Sequence, residues 1–532
     1  MIDLESLRKA IGFTQNGKFK EAEKLYYELL EASPNDAMLL SAFGLFYVTI
    51  KDFAKAEKYL EQACVINKSL GTVSALGFAY YEQDKFEQAA ATLEASLEFG
   101  SNQDILNKLI ISFFQIKNYS KAIKYSTIMH QNFPEDTNAI AHLVKSLTYT
   151  GKLIEAEKLC VESLQKNEDS PSLWFHLGFL KELIYNDNLQ ALRCYEKALE
   201  LGSNEAYYNI AVSYQKQRIF DKAEENYKQM LKFFPDNKEA ILGLGMCRLT
   251  QKKFKEGYEC LFQNNRSKFD KKTNNPWMPN QNWEREVVVI GDQGYGDQIQ
   301  FIRYLPYLIE KTEKIYVAVN KNLRGLFEKI YTQAKFINYD EIDPEMQSIR
   351  LTDIAFALNI DFDNIPFSKG YLISEKNNIE SKKTKVGLCW EAGSTGIRTM
   401  INRTINVDIL EPIFNKQEIQ LYSFQVKDTF NGNEKYPQMI NLAKGFNNFE
   451  DTAKAMLAMD VIITVDTCIA HLAGALGIKT FLMLPFSSDW RWFLDNKSTS
   501  WYDSVEIFKQ ETPNSWEKPI EDIICKLKEY SL

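Results

Sequence analysis

Gly17-Lys18-Phe19-Lys20-Glu21-Ala22 is a short polar stretch built around one aromatic and one small residue, and it recurs along the chain. It is echoed by Lys51-Asp52-Phe53-Ala54-Lys55-Ala56, Asp84-Lys85-Phe86-Glu87-Gln88-Ala89, Asn118-Tyr119-Ser120-Lys121-Ala122 and Gly151-Lys152-Leu153-Ile154-Glu155-Ala156. Asn188-Leu189-Gln190-Ala191 is a looser sixth copy, and Ile219-Phe220-Asp221-Lys222-Ala223 and Lys253-Phe254-Lys255-Glu256-Gly257 complete the series. The closing small residues lie 32 to 35 positions apart. A fixed period of that length marks an array in which each repeat is one supersecondary unit and neighbours supply the core.

Between the echoes stand stop signals: Ser33-Pro34-Asn35-Asp36, Phe133-Pro134-Glu135-Asp136 and Phe234-Pro235-Asp236-Asn237. There proline ends one helix and the following Asp or Asn caps the next, so each unit is expected to be a pair of helices. Gly44, Gly77, Gly178 and Ala211 fall in the first helix of their units, where a small side chain lets the second helix approach. The pattern resembles the tetratricopeptide repeat family. It implies an α-solenoid of about eight repeats over residues 1–264, whose concave face holds a protein partner. Asn107, Lys108, Asn138, His142, Tyr207, Asn209 and Tyr214 lie on first helices and are candidates to contact such a partner.

The chain of 532 residues is 45% hydrophobic and 25% charged, the balance of an ordinary folded protein. A net charge of -8 gives no broad attraction for a polyanion, so nucleic acid is not an expected partner. No stretch reaches the ~18 apolar residues of a membrane span, and the first residues lack a secretory signal pattern, which leads to a cytoplasmic expectation. The eight cysteines are scattered without C-x-x-C spacing and the four histidines form no cluster, so reduced thiols and no metal are expected.

Residues 265–283 are polar and punctuated by Pro276 and Pro279, and they read as a linker tethered by Trp277, Met278 and Trp283. Beyond it the period changes. Short apolar runs, Val287-Val288-Val289-Ile290, Ile315-Tyr316-Val317-Ala318-Val319, Val386-Gly387-Leu388-Cys389-Trp390, Leu421-Tyr422-Ser423-Phe424, Val461-Ile462-Ile463-Thr464-Val465 and Phe481-Leu482-Met483-Leu484, alternate with helical segments. This is the logic of parallel α/β folds, and it predicts two lobes, 284–380 and 381–532, hinged near residues 374–385.

Two strand ends carry candidate chemistry. The first runs into Gly291-Asp292-Gln293-Gly294-Tyr295-Gly296-Asp297-Gln298, a glycine-rich turn whose backbone amides can approach a ligand closely. It has neither the Walker spacing nor G-x-G-x-x-G, and its two carboxylates, Asp292 and Asp297, suit a catalytic base facing a hydroxyl better than a phosphate cradle. The second is Val465-Asp466-Thr467-Cys468-Ile469-Ala470-His471, a strand that opens directly into a helix. Its free amides and the Thr467 hydroxyl suit a diphosphate, and Arg398 and Arg403 can supply positive charge. On the residues alone Asp297 also reads as a helix cap, His471 as a core residue, and Trp490, Arg491 and Trp492 as contacts to the acceptor or as packing between the lobes or at the repeat junction.

Residues 296–308, 387–394, 402–405, 465–477 and 485–492 together resemble the heptosyltransferase-like glycosyltransferases, in particular the bacterial branch fused to tetratricopeptide repeats. The resemblance spans about residues 284–515. It implies a GT-B architecture of two Rossmann-like lobes, a nucleotide-sugar as donor substrate, no cofactor and no metal. It also implies Asp297 as the base, with Asp292 beside it. Around the donor it implies Thr467 with the helix after it at the phosphates, Gln425 at the nucleotide base and His471 facing the donor; Gly294, Gly296, Gln298, Trp390, Arg398, Arg403, Asp466 and Cys468 complete the candidate donor-binding set. The expected activity is glycosyl transfer to a protein hydroxyl, with flagellin as one such acceptor, held by the repeats. The alternatives are transfer to a surface glycan or lipid-linked sugar, and a non-catalytic repeat scaffold.

Overall fold

The computed structural model describes residues 3–269, 273–291, 294–392, 403–426, 436–494 and 497–530. The chain divides into two compact units, residues 1–210 and 211–532. Helices run in hairpins through the first half: α1 (Leu4–Gln15) with α2 (Phe19–Ala32), α3 (Ala37–Thr49) with α4 (Phe53–Ile66), and α5 (Leu70–Tyr81) with α6 (Phe86–Ser96). They continue as α7 (Gln103–Gln115) with α8 (Tyr119–Asn132), α9 (Thr137–Tyr149) with α10 (Leu153–Lys166), and α11 (Pro171–Tyr185) with α12 (Asn188–Glu200). Then come α13 (Ala206–Lys216) with α14 (Phe220–Phe233), and α15 (Lys238–Thr250) with α16 (Phe254–Phe269).

The local causes match the sequence signals. Asp36, Asp136 and Asn237 accept hydrogen bonds from the amides of Leu39, Ala139 and Ala240, capping α3, α9 and α15. Within each hairpin one residue turns left-handed: Gly17, Lys51, Asp84, Lys117, Gly151, Asn186, Arg218 and Lys252 all have φ between 51° and 81°. A β carbon at Gly44 would sit 2.5 Å from Leu60 Cγ, so the close approach of α3 and α4 requires glycine. Neighbouring hairpins are also linked by side chains. The glutamate after the echo's alanine reaches into the next hairpin, as Glu23 does to Tyr47 Oη (2.7 Å) and Glu157 to Lys181 Nζ (2.7 Å).

The α/β part contains two all-parallel sheets. Strands β1 (Glu286–Ile290), β2 (Lys314–Ala318), β3 (Ala334–Ile337) and β4 (Gln347–Arg350) are ordered β3-β2-β1-β4. Strands β5 (Thr384–Cys389), β6 (Ile419–Ser423), β7 (Met439–Asn441), β8 (Val461–Val465), β9 (Thr480–Leu484) and β10 (Val505–Lys509) are ordered β10-β9-β8-β5-β6-β7. Every residue of β8 and β9 is buried, as expected for strands covered on both faces. Two of the connecting helices concern the site: α17 (Tyr295–Phe301), after β1, and α18 (Cys468–Ala475), after β8.

The expected linker is firmly held. Its amide at Trp277 donates to the Ser348 carbonyl (2.7 Å), and the Asn275 carbonyl accepts from Ser348 N (2.9 Å), so it lies along the edge of β4. Trp277 and Trp283 stack at 5.3 Å, and Trp277 also packs on Phe262 and Phe356. The helical hairpins end close to the expected boundary at residue 264, and the last pair also packs into the core of the α/β part. α16 continues to Phe269, and Leu249, Phe254 and Tyr258 belong to the same core as β1, β9 and Trp501. The physical reason is that α16 presents aromatic side chains, and α15 Leu249, to the α/β core, with Phe254 stacked on Trp501 (5.9 Å) and Tyr258 against Trp490 (6.1 Å).

Candidate active site

In the second sheet the connections from β5 run one way, through β6 and β7, and those from β8 run the other, through β9 and β10. The carboxyl ends of β5 and β8 therefore flank a topological switch point, the position at which open parallel sheets leave a crevice for a ligand. Trp390 and Glu391 follow β5 there, and Asp466 and Thr467 follow β8. Thr467 is the N-cap of α18: its Oγ1 accepts from Ile469 N at 3.2 Å.

The helix α17 meets α18 at this end. A β carbon at Gly296 would lie 2.9 Å from His471 Cδ2 and 3.6 Å from Cys468 Cα, so glycine is what permits the contact. Gly294, exposed, is the N-cap of α17, which puts Asp297 in the helix's first turn. Asp297 Oδ1 is ion-paired with Arg491 Nη2, so a residue of the first sheet's helix is joined to a residue that follows β9.

Charge is concentrated around this pair. Asp466 is 4% exposed, with Arg403 Nη1 3.7 Å from its Oδ2. Burial and then the Asp489 carboxylate push the Asp466 carboxyl up to about 6, against the opposing pull of Arg403, the Trp492 indole and Arg491. Burial also works against charge on Asp489, but Arg491 and the Arg491 amide more than offset it and hold that carboxyl below its usual value. His471 is driven down to about 3, by burial and then by Arg491, so it is a neutral imidazole. Its Nδ1 bonds Tyr502 Oη at 3.1 Å and its ring stacks on Trp492 at 5.1 Å.

The expected donor set sorts into groups. Gly294, Gly296, Asp297, Arg403, Asp466, Thr467, Cys468 and His471 come together at the two helix starts. Gln298 does not join them. Its side chain is buried, with Nε2 donating to Gly291 O (3.3 Å) and Oε1 accepting from Asn320 N (2.9 Å), so it fastens α17 to the strand ends. Trp390 is packed in the core with Val386, Ile463 and Val465, because the side chain after β5 turns under the sheet. Gln425 is buried and bonded to the Glu391 main chain on both sides, through N at 3.1 Å and O at 3.4 Å, so it shapes the loop after β5. Burial pushes the Cys468 thiol up to about 12, so this group is no nucleophile at neutral pH. Asp292 and Arg398 lie outside the described residues. Asp489, Arg491 and Gln300 were not among the expected site residues. The available signal was the run Asp489-Trp490-Arg491-Trp492, an arginine between two large aromatics after a fully apolar strand.

A tetratricopeptide repeat family model matches residues 205–237. Over most of its length the chain is similar to Protein FlbA of Caulobacter vibrioides, at 21% identity over 543 residues, 91% of this chain and 88% of that protein. It is also similar to BBSome complex member BBS4 of Bos taurus, at 24% identity over 172 residues, 30% of this chain and 31% of that protein. Among solved structures, a tetratricopeptide repeat protein from Parabacteroides merdae is 16% identical, with 46% of this chain and 97% of that chain covered and a TM-score of 0.40. The repeat half thus matches the tetratricopeptide repeat model over residues 205–237, and the similarity to Protein FlbA, over 91% of this chain, extends through both the repeats and the α/β part.

Proposed function

We propose that this protein is a glycosyltransferase that moves a sugar from a nucleotide-sugar donor to a hydroxyl group of a protein, with the repeats holding that protein. One arrangement carries the reading. Asp297, on the helix that follows β1, and the Asp466-Thr467 helix start, at the switch point of the second sheet, stand together across the carboxyl ends of two parallel sheets. In the reaction the acceptor oxygen gives its proton to Asp297 and forms a bond to the anomeric carbon. The bond from that carbon to the donor phosphate breaks, and its electron pair leaves with the nucleotide. The first amides of α18 and the Thr467 hydroxyl would receive the phosphate charge, with Arg403 close by. A flagellin-type protein is one acceptor that fits this scheme.

The first test is thermal unfolding of the full chain with ADP, UDP, GDP, CMP and their sugar conjugates. A ligand at about 100 times its Kd adds about 2.7 kcal/mol, so a true donor gives a clear rise in Tm for one nucleotide class. Asp297→Asn should then retain that rise while its turnover falls by about 10²-fold or more, the usual worth of a general base. No rise with any of the nucleotides would overturn the transferase reading and leave a repeat scaffold.

A further inference from the structure

The turn after β9 holds its arginine unusually firmly. Trp490 and Trp492 are both buried, 3% and 0% exposed, and they fix the main chain on either side of Arg491. The Arg491 amide donates to Asp489 Oδ1 at 3.0 Å, and its guanidinium lies 4.6 Å from the Trp490 ring centroid. All three side-chain nitrogens donate to protein acceptors: Nη1 to Asp489 Oδ1 (2.8 Å), Nε to Gln300 Oε1 (3.0 Å) and Nη2 to Asp297 Oδ1. Gln300 and Asp297 are three residues apart on α17, so the planar fork grips one face of that helix at two points.

We propose that Arg491 is the positioning residue for Asp297: it pins Oδ1 and so presents Oδ2 to the acceptor hydroxyl. Oδ2 lies on the side of Gly294, 3.6 Å from where a β carbon would stand, and Gly294 is exposed and has no side chain to obstruct an incoming group. A carboxylate at the start of a helix otherwise rotates among several orientations, only some of which direct a lone pair at the acceptor. Fixing it beforehand removes that entropy from the barrier. Because the guanidinium is already engaged by Asp489, Gln300 and Asp297, it acts through Asp297 and does not need to meet the donor. The inference rests on the transferase reading above, since it assigns Arg491 a role in that reaction.

The test uses the full chain and the nucleotide-sugar that stabilises it, with nucleotide release to water as the readout. Arg491→Gln should lower kcat by about 10²-fold while KM for the donor stays within about twofold. Arg491→Lys, which keeps the charge without the fork, should recover only part of the loss. Gln300→Leu keeps both partners of the ion pair but removes one anchor, and should lower kcat about tenfold; it carries the test should Arg491→Gln fail to fold. A kcat kept within twofold in Arg491→Gln, full recovery by lysine, or a raised KM with kcat unchanged would each overturn the inference. A wild type that no nucleotide-sugar stabilises would overturn the transferase reading and this inference together, whereas an active wild type with unaffected variants overturns this inference alone.

Discussion

Asp466 is a carboxylate held where charge is costly: it is 4% exposed and its nearest described cation, Arg403, is 3.7 Å away and itself partly exposed. Its folded pKa near 6 lies above the ordinary 3.8, so the folded state binds its proton more tightly than the unfolded state does. The favourable contribution of that proton is complete below about pH 4 and is lost as pH rises through about 6. A shift of about two units corresponds to roughly 3 kcal/mol as an upper figure. Asp466→Asn removes the titration. Stability of wild type and variant, compared by denaturant unfolding from pH 4 to 7, should show the variant gaining on the wild type across that window. Parallel curves would mean that Asp466 is not buried as charge. The same residue shows what sequence can and cannot give. Its place at a strand end beside a helix cap follows from the apolar run Val461 to Val465, but its neighbours do not. Asp489 and Arg491 come from the end of another strand, and Asp297 from another sheet, so no local pattern joins them. Gln298 and Gln425 were equally opaque, because whether a buried amide meets a ligand or a main-chain group depends on which carbonyl the fold brings to it.

At the scale of single elements, the hairpins were legible because their signals are local: a cap, a small residue and a period of 32 to 35. The left-handed residue of each hairpin follows the same period but not the same identity, with glycine at residues 17 and 151 and lysine at 51, 117 and 252. An L-residue in that region costs about 1–2 kcal/mol, partly offset on changing to glycine by the greater freedom of the unfolded chain. Lys51→Gly, at an exposed position, should therefore stabilise the protein by a few tenths to about 1 kcal/mol. Gly44→Ala in the same hairpin should do the reverse. Its β carbon would collide with Leu60, which is fully buried, and overpacking of that kind costs about 1–3 kcal/mol. Opposite signs for these two variants in thermal unfolding support the hairpin geometry. Equal signs would show that α3 and α4 are further apart or that the turn is not left-handed.

At the scale of the whole molecule, a period found in sequence marks where repeats are similar but not where the core stops. The eighth echo, at residues 253–257, reads as the last member of the array, so a division after residue 264 looks natural. The side chains that decide otherwise, Phe254 and Tyr258, are a typical aromatic pair for a repeat helix, and only the packing shows that they lie against Trp501, Phe493 and Trp490. Both are at most 2% exposed. Fully burying one such side chain contributes about 1.5–3 kcal/mol, so removing α15 and α16 would strip several such contacts from a domain whose net stability is about 5–15 kcal/mol. A fragment of residues 265–532 should therefore bind hydrophobic dyes, aggregate on expression or lose cooperative unfolding. A fragment of residues 203–532, which keeps α13 to α16, should unfold in one cooperative transition. Arg218 supports this choice of start, since its guanidinium donates to Leu494 O at 3.3 Å and lies over Phe486 at 5.4 Å. Nucleotide-induced shifts in Tm measured on the longer fragment would also separate donor binding from the first twelve helices. If the shorter fragment proves equally cooperative, the last hairpins belong to the repeats alone, and the shared core contributes little to the stability of the sheets.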